Sequence, residues 1–353
     1  MVVTTRRTKL DRIASVTRNL KLDREVIVGT DVVSREGYVV AVRLLHDKAT
    51  YNQLEDVHGR LVPLRGGDVV AGVLGSRRAL RGYAGEVPER LEVGDRLHVL
   101  NLGGVLGRCT SIHPDLGPPF EAELLGAVLR FPDAADRIGT PAHIGAGAIP
   151  PAERMELAAP LVVISGTSMD SGKTVAGTEI VRGLSRAGLR VAAVKLTGVS
   201  LRRDVLSMMD AGAIEGLSFT DAGVVSTRDD EVVPTALGLL NRAGRVSPDV
   251  VVAELGDGLF GDYGVSTILS CPAIMERSAA LVLCATDPVG AWGGVRALSE
   301  RWGLTPTVVS GAVTDNDVGR RFVGETLHLP ARNARQDGPG LSAVVLEALR
   351  VSA

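Results

Sequence analysis

The chain has 353 residues, 45% of them hydrophobic, and a formal net charge of −2 at pH 7. That length suggests two domains with sizeable cores, while 3% aromatic residues and an even charge balance argue against a nucleic-acid or membrane-surface partner. The cysteines Cys109, Cys271 and Cys284 are too few and too scattered for a disulfide framework or a zinc site, and no apolar run is long enough to span a membrane.

The N-terminal stretch MVVTTRRTKLDR is basic but lacks the apolar core of a signal peptide, so a cytoplasmic protein is expected. Short β-like runs follow at EVIVGTDVV, GYVVAVRLL, DVVAGVLG, DRLHVLNL and VLGRCTSI, divided by Gly, Asp and Pro turn signals. Their spacing predicts a β-rich domain over 1–131, a small barrel or sandwich rather than βαβ units. Within it, HDKATYNQLEDVHG is the densest polar cluster, with His46, Lys48, Tyr51, Asn52, Glu55 and His58. It has no metal-ligand spacing and reads as a short helix or ordered loop with a solvated face. The basic segment SRRALRGYAG carries Arg77, Arg78 and Arg81, which suit an anionic substrate or a partner subunit equally. After the break at Pro114 to Pro119, EAELLGAVLRF is expected to be helical. Residues 132–160, rich in Gly, Ala and Pro, read as an interdomain linker that is packed down by Ile144 and Ile149.

From Leu161 to the end, strand and helix patterns alternate, which predicts an α/β domain with a mostly parallel, doubly wound sheet. The β-branched run LVVI leads directly into SGTSMDSGKTV, and Val175, Ile180, Val181 and Leu184 then recur at helical spacing. Strand, glycine-rich loop and helix together make a phosphate cradle, because the helix N-terminus offers unpaired N–H groups and a favourable dipole. Gly166, Thr167, Ser168, Asp170, Ser171, Gly172, Lys173, Thr174 and Val175 are the predicted nucleotide contacts. Lys173 is expected to reach the β- and γ-phosphates and Thr174 to hold Mg²⁺. In the common G-x-x-x-x-G-K-[ST] pattern glycine would stand at 167; here it stands one place earlier, at Gly166.

Three further positions fall near predicted strand ends. Lys195 closes RVAAVK and can neutralise phosphate charge. Asp204 or Asp210, in RRDVLSMMDAGA, can complete a Mg²⁺ shell. Glu254 ends DVVVAEL as a metal ligand, followed by Asp257 and Asp262, with Gly256 and Gly258 expected to let the backbone approach substrate. Trp292 suits a core or interface. Asn316 or Asp315 suits base recognition, and a capping role for the next helix is equally open.

The segments GTSMDSGKTV, GLRVAAVKLTGVS and VVVAELGDG closely resemble the dethiobiotin synthetase branch of P-loop proteins, in which the displaced glycine also occurs. The resemblance implies that Lys173 and Lys195 face the reacting phosphate, and that Thr174, Asp204 or Asp210, and Glu254 surround Mg²⁺. RRDVLSMMDAGA is similar to the adaptor GTPases of molybdopterin-guanine dinucleotide synthesis. Two-domain proteins with this kind of P-loop half, some linked to amino-acid acylation, look similar too. These likenesses span Leu161 to Asn316. The chain departs from the dethiobiotin synthetases in its β-rich first domain and in having Leu196, Thr197 and Gly198 where they read proline and a serine-glycine pair. The expected function is therefore ATP- and Mg²⁺-dependent activation of a small carboxylated metabolite, by a ligase or kinase. The expected assembly is a homodimer or higher homo-oligomer, with the site between subunits or domains. The alternatives are a GTP-switched adaptor or chaperone for cofactor assembly, and an amino-acid acyltransferase whose loop binds coenzyme phosphates.

Overall fold

A computed structural model describes residues 4–133 and 138–352. The chain divides into two compact units, and the division does not follow the sequence. Unit 1 comprises Met1–Ala148 together with two later segments, Val199–Arg202 and Thr220–Ser226, and the remainder is unit 2. The stretch expected to be a linker is thereby shared between the units at Ala148 and Ile149, and its residues 134–137 lie outside the described residues.

Unit 1 is β-rich. Its strands are β1 (Thr5–Lys9), β2 (Arg12–Ile13), β3 (Glu25–Gly29), β4 (Val39–Leu44), β5 (Gln53–Glu55), β6 (Leu61–Pro63), β7 (Val69–Leu74), β8 (Arg77–Arg78), β9 (Tyr83–Glu86), β10 (Arg96–Val99), β11 (Val105–Ile112), β12 (Glu121–Arg130) and β13 (Thr140–Pro141). Five of them close a ring, β12 to β4 to β7 to β11 to β10 and back to β12. This closure hides the exposed edges that an open sheet would leave, and it makes the unit a barrel. The barrel is filled by Val40, Val42, Val70, Leu97, Leu106 and Leu124 among others, with Val225 from the last segment in the same core. The two late segments are tied in by hydrogen bonds from Asn101 Nδ2 to the Ser200 carbonyl at 2.6 Å and from the Arg202 amide to Glu55 Oε2 at 2.8 Å.

The segment read as a helix, EAELLGAVLRF, is strand β12, and KATYNQLEDVHG contains the short strand β5 rather than a helix. Leu124, Leu125, Val128 and Leu129 mimic helical spacing, yet Leu124 to Leu129 are buried without a break. A strand paired on both sides inside a barrel has little polar face to display, so it loses the alternation that identifies strands.

Unit 2 is an α/β domain. In chain order it holds β14 (Leu161–Gly166), α1 (Lys173–Arg186), β15 (Val191–Thr197), α2 (Arg203–Asp210), β16 (Glu215–Ser218), α3 (Val232–Gly244), β17 (Val250–Leu255), α4 (Val265–Leu269), α5 (Pro272–Met275), β18 (Ser278–Cys284), α6 (Pro288–Trp302), β19 (Val308–Ser310), α7 (Asp317–Arg321) and α8 (Gly338–Ser352). The six strands pair in the order β16-β15-β17-β14-β18-β19, all parallel. The chain leaves β14 for β15 and later inserts β17 between them. Strand direction therefore brings the carboxyl ends of β14, β15 and β17 side by side, where open parallel sheets collect ligands. Among the described residues no helix is long and apolar enough to cross a membrane.

Candidate functional site

The carboxyl end of β14 runs into the loop Thr167–Gly172, and α1 begins at Lys173. The glycine displaced to position 166 has a local reason. A Cβ there would lie 2.3 Å from Ser171 Oγ and 2.9 Å from Lys173 Cδ, so glycine leaves room for these two side chains to lie over the end of the strand. Asp170 and Gly172 both take left-handed backbone, at φ 58° and 99°. A non-glycine residue in that region stores strain, which is common where a loop must fit a ligand. The start of α1 has no side-chain cap, so its first N–H groups stay available to an anion. Strand, loop and helix form a P-loop.

Around the loop the structure gathers the residues that the sequence singled out. Lys173, Lys195, Asp204 and Glu254 are 6%, 7%, 8% and 2% exposed. Lys173 Nζ bends back to donate to the Ser168 carbonyl at 2.8 Å. Lys195 lies two residues before the end of β15, opposite Glu254 of β17 in register, and forms an ion pair with Asp204 from the first turn of α2. The Thr174 hydroxyl donates to Glu254 Oε1 at 3.1 Å. Asp210, the other metal candidate, sits exposed at the far end of α2 and Asp262 is also exposed.

The electrostatics follow from this crowding. Burial depresses the Lys173 ammonium, partly opposed by Glu254. Burial would depress Lys195 as well, but Asp204 and Glu254 outweigh it and hold its pKa above the usual value. Burial would raise Asp204, and Lys195 reverses that and pulls it down. Glu254 is pushed up by burial and by the Asp204 charge. Each neighbour thus fixes the charge state of the next.

Glu254 Oε2 is buried without a hydrogen-bond partner. An unpaired buried carboxylate oxygen is costly, and a cation would satisfy it. With the Thr174 hydroxyl and Asp204, it makes a donor set of oxygens only, which fits Mg²⁺. Among the described residues no three His, Cys, Asp or Glu side chains are arranged to hold a metal. Two carboxylates and a hydroxyl would hold such a cation in part and would leave its remaining ligands to phosphate oxygens and water.

Some placements differ from expectation. Gly256 and Gly258 serve the protein's own backbone: a Cβ at 256 would meet the Thr197 carbonyl at 2.3 Å, and one at 258 the Thr167 carbonyl at 2.8 Å. Asn316 caps α7 through bonds from the Val318 and Gly319 amides at 3.0 and 3.2 Å, which takes up its side-chain oxygen. Beside the phosphate loop lies instead a small cleft of about 60 Å³ that includes Asp170, Gly172, Val175, Asp315, Asn333 and Arg335. Asn333 donates to Asp315 at 2.8 Å and orients it there. Asn333 and Arg335 lie some 160 positions beyond the loop, and only the polar run ARNARQD ahead of α8 hints at them. A larger cavity of about 620 Å³ lies along the second half of α1 and α8, away from this chemistry.

No protein-family model matches the chain, and no curated protein does. Among solved structures the chain is similar to chloroplast FtsY from Physcomitrella patens, 14% identical over 54% of this chain and 65% of that one, with a TM-score of 0.37. It is also similar to a DUF1611 family protein from Anabaena variabilis, 16% identical over 58% of this chain and 63% of that one, at 0.37. A third similar structure is HypB from Helicobacter pylori in complex with nickel, 13% identical over 55% of this chain and 89% of that one, at 0.37. The chain spans less than two thirds of the first two.

Proposed function

We propose that the chain is a Mg²⁺-dependent phosphoryl-transfer enzyme that uses ATP to activate a small carboxylated metabolite. The observation that carries this reading is the convergence of two buried lysines, Lys173 and Lys195, on the phosphate loop beside an oxygen donor set of Thr174, Asp204 and Glu254. Phosphoryl transfer asks for little beyond alignment and neutralisation of spreading negative charge. The α1 N-terminus and Lys173 would grip the phosphate chain. Lys195, steered by Asp204, would meet charge developing on the transferred group. Mg²⁺, held by Thr174, Asp204 and Glu254, would supply charge neutralisation across the phosphates. Transfer forms a bond between an acceptor carboxylate oxygen and the γ-phosphorus and breaks the bond to the β–γ bridging oxygen. An acyl phosphate and a nucleoside diphosphate result. The acceptor class is supported by the resemblance of GTSMDSGKTV, VKLTGVS and VVVAELGDG to the dethiobiotin synthetase-like branch.

One observation favours a second reading, a GTP-switched adaptor. The side chain beside the cleft is the carboxylate of Asp315, oriented by Asn333, and a carboxylate suits the N–H pair on guanine's edge.

Thermal-shift measurements with ATP, GTP and acetyl-CoA, each with Mg²⁺, separate these readings. Nucleotide at a hundredfold over its Kd should stabilise the chain by about 2.7 kcal/mol, and Lys173→Ala should remove the shift. ATP preference, with phosphate release stimulated by a carboxylated metabolite, supports the enzyme. GTP preference without metabolite stimulation supports the adaptor. A shift with acetyl-CoA alone, or with none of the three, overturns both.

A further inference from the structure

The ion pair of Lys195 and Asp204 joins residues nine positions apart, and the middle of the loop it closes is not part of unit 2. Val199–Arg202 belong to unit 1, whereas Gly198 and Arg203 on either side belong to unit 2. The entry is pinned at Gly198, whose amide donates to the Thr227 hydroxyl at 2.9 Å and whose carbonyl accepts from the Thr227 amide at 3.0 Å. The exit is Arg203, the first residue of α2, and Asp204 follows it directly. Where Asp204 stands therefore depends on how the four residues ahead of α2 are held.

Unit 1 holds them with buried polar groups. Asn101, 3% exposed, donates from Nδ2 to the Ser200 carbonyl at 2.6 Å, while its Oδ1 accepts from the Val105 amide at 3.0 Å. A Cβ at Gly103 would collide with the same Ser200 oxygen, so glycine there admits the loop. The Ser200 amide donates to the Val225 carbonyl at 2.9 Å. Glu55 of β5 is 0% exposed, and its Oε2 accepts from the Arg202 amide at 2.8 Å; Arg202 Nη1 donates to the Val57 carbonyl at 2.9 Å. A buried carboxylate is expensive. An apolar side chain would fill the barrel at lower cost, whereas the carboxylate makes a charge-assisted bond to the amide just ahead of α2, where negative charge also suits the helix dipole.

We infer that Glu55 and Asn101 are positioning residues for the phosphate site: they hold Arg202 and Ser200, and through that segment they set where Asp204 meets Lys195. What the pair does there rests on the phosphoryl-transfer reading above; how it is held does not. Both side chains act through the loop and contribute no group to the reaction. Loss of either bond loosens the loop, so the pair is made in a smaller fraction of molecules. The penalty then falls on the step that needs Lys195, charge development on the transferred group, rather than on the grip of Lys173 and α1 on the phosphates.

Two readouts on the full chain test this. The first needs no nucleotide: reductive methylation of lysines, quantified by peptide mass spectrometry, with Lys173 as the internal control. Glu55→Met removes the acceptor for Arg202, and Asn101→Asp removes the donor to Ser200 while keeping the acceptor for Val105. Each should raise Lys195 methylation on the order of tenfold, the weight of one lost buried hydrogen bond, and leave Lys173 unchanged. Glu55→Gln keeps an acceptor oxygen and should return Lys195 close to the native rate. Unchanged Lys195 methylation in the folded variants overturns the inference, as does a parallel rise at Lys173, which marks general loosening. If Glu55→Met does not fold, Asn101→Asp decides alone. The second readout is basal phosphate release from ATP with Mg²⁺. In both variants kcat should fall on the order of tenfold while KM for ATP stays within about twofold; a raised KM at unchanged kcat overturns the positioning role. A native chain that neither binds ATP nor releases phosphate defeats the phosphoryl-transfer reading instead, and methylation still decides how the pair is held.

Discussion

Lys195 and Asp204 illustrate how a single residue's chemistry is set by its immediate neighbours. Both are nearly buried, and each holds the other charged. Asp204→Asn removes one member and leaves a buried ammonium facing only Glu254, so unfolding free energy should drop by about 3–5 kcal/mol. The double replacement Lys195→Met with Asp204→Leu should recover most of that loss, while nucleotide-dependent phosphate release stays abolished. Denaturant titration of the three variants checks the first statement and phosphate release the second. A different residue contributes to the first part of the acid limb of stability. His98 accepts a hydrogen bond from the Cys109 amide at Nδ1 at 3.1 Å, and burial lowers its pKa below the 6.5 of a free imidazole, partly opposed by the Glu121 charge. The unfolded chain therefore binds more protons just below pH 6.5 than the folded one. Stability should fall as pH drops from 6.5 through the folded pKa. Melting curves across that range should show the decline, and His98→Gln should flatten it.

Among elements, β12 matters most to unit 1, because it pairs with β3, β4, β10 and β13. Ala122 sits in register with Leu44 on one side and Leu97 on the other. Ala122→Pro removes a ladder donor between two strands and should cost about 1–3 kcal/mol for the buried acceptor left unpaired, visible as a lowered cooperative transition. The same strand marks where sequence reading stops. The P-loop unit was legible because a parallel sheet repeats strand and helix in short cycles, and because SGTSMDSGKTV fixes one turn chemically. Glu254 and Lys195 were legible as polar residues in otherwise apolar strands. β12 was not, because burial on both faces erased its alternation. Asn316 was ambiguous for a related reason: capping and base recognition ask for the same side chain, and only the two amides of α7 decide between them. The contact of Arg77 with Tyr51 was invisible because tertiary packing, rather than local spacing, brings together side chains 26 positions apart.

At the scale of the whole molecule the notable fact is that unit 1 is discontinuous in sequence. Its core takes Val225, and Glu55 and Asn101 bond to Arg202 and Ser200, all supplied from within the P-loop half of the chain. A fragment of residues 1–148 lacks these, so Asn101 and Glu55 would each lose a hydrogen bond and the core a buried valine. That fragment should melt without a sharp transition, whereas a shortened chain of residues 1–148 joined to 199–226 should regain cooperativity; calorimetry distinguishes the two. The discontinuity also has a consequence in time. A ribosome adding about 5–20 residues per second releases every barrel strand well before Ser226, which follows Ala148 by about 80 residues. During those seconds β14, α1, β15, α2 and β16 emerge, while β17, β18 and β19 have yet to be made. Barrel completion is therefore scheduled inside the synthesis of the nucleotide half, and a nascent chain paused between Ala148 and Ser226 would carry two unfinished units at once.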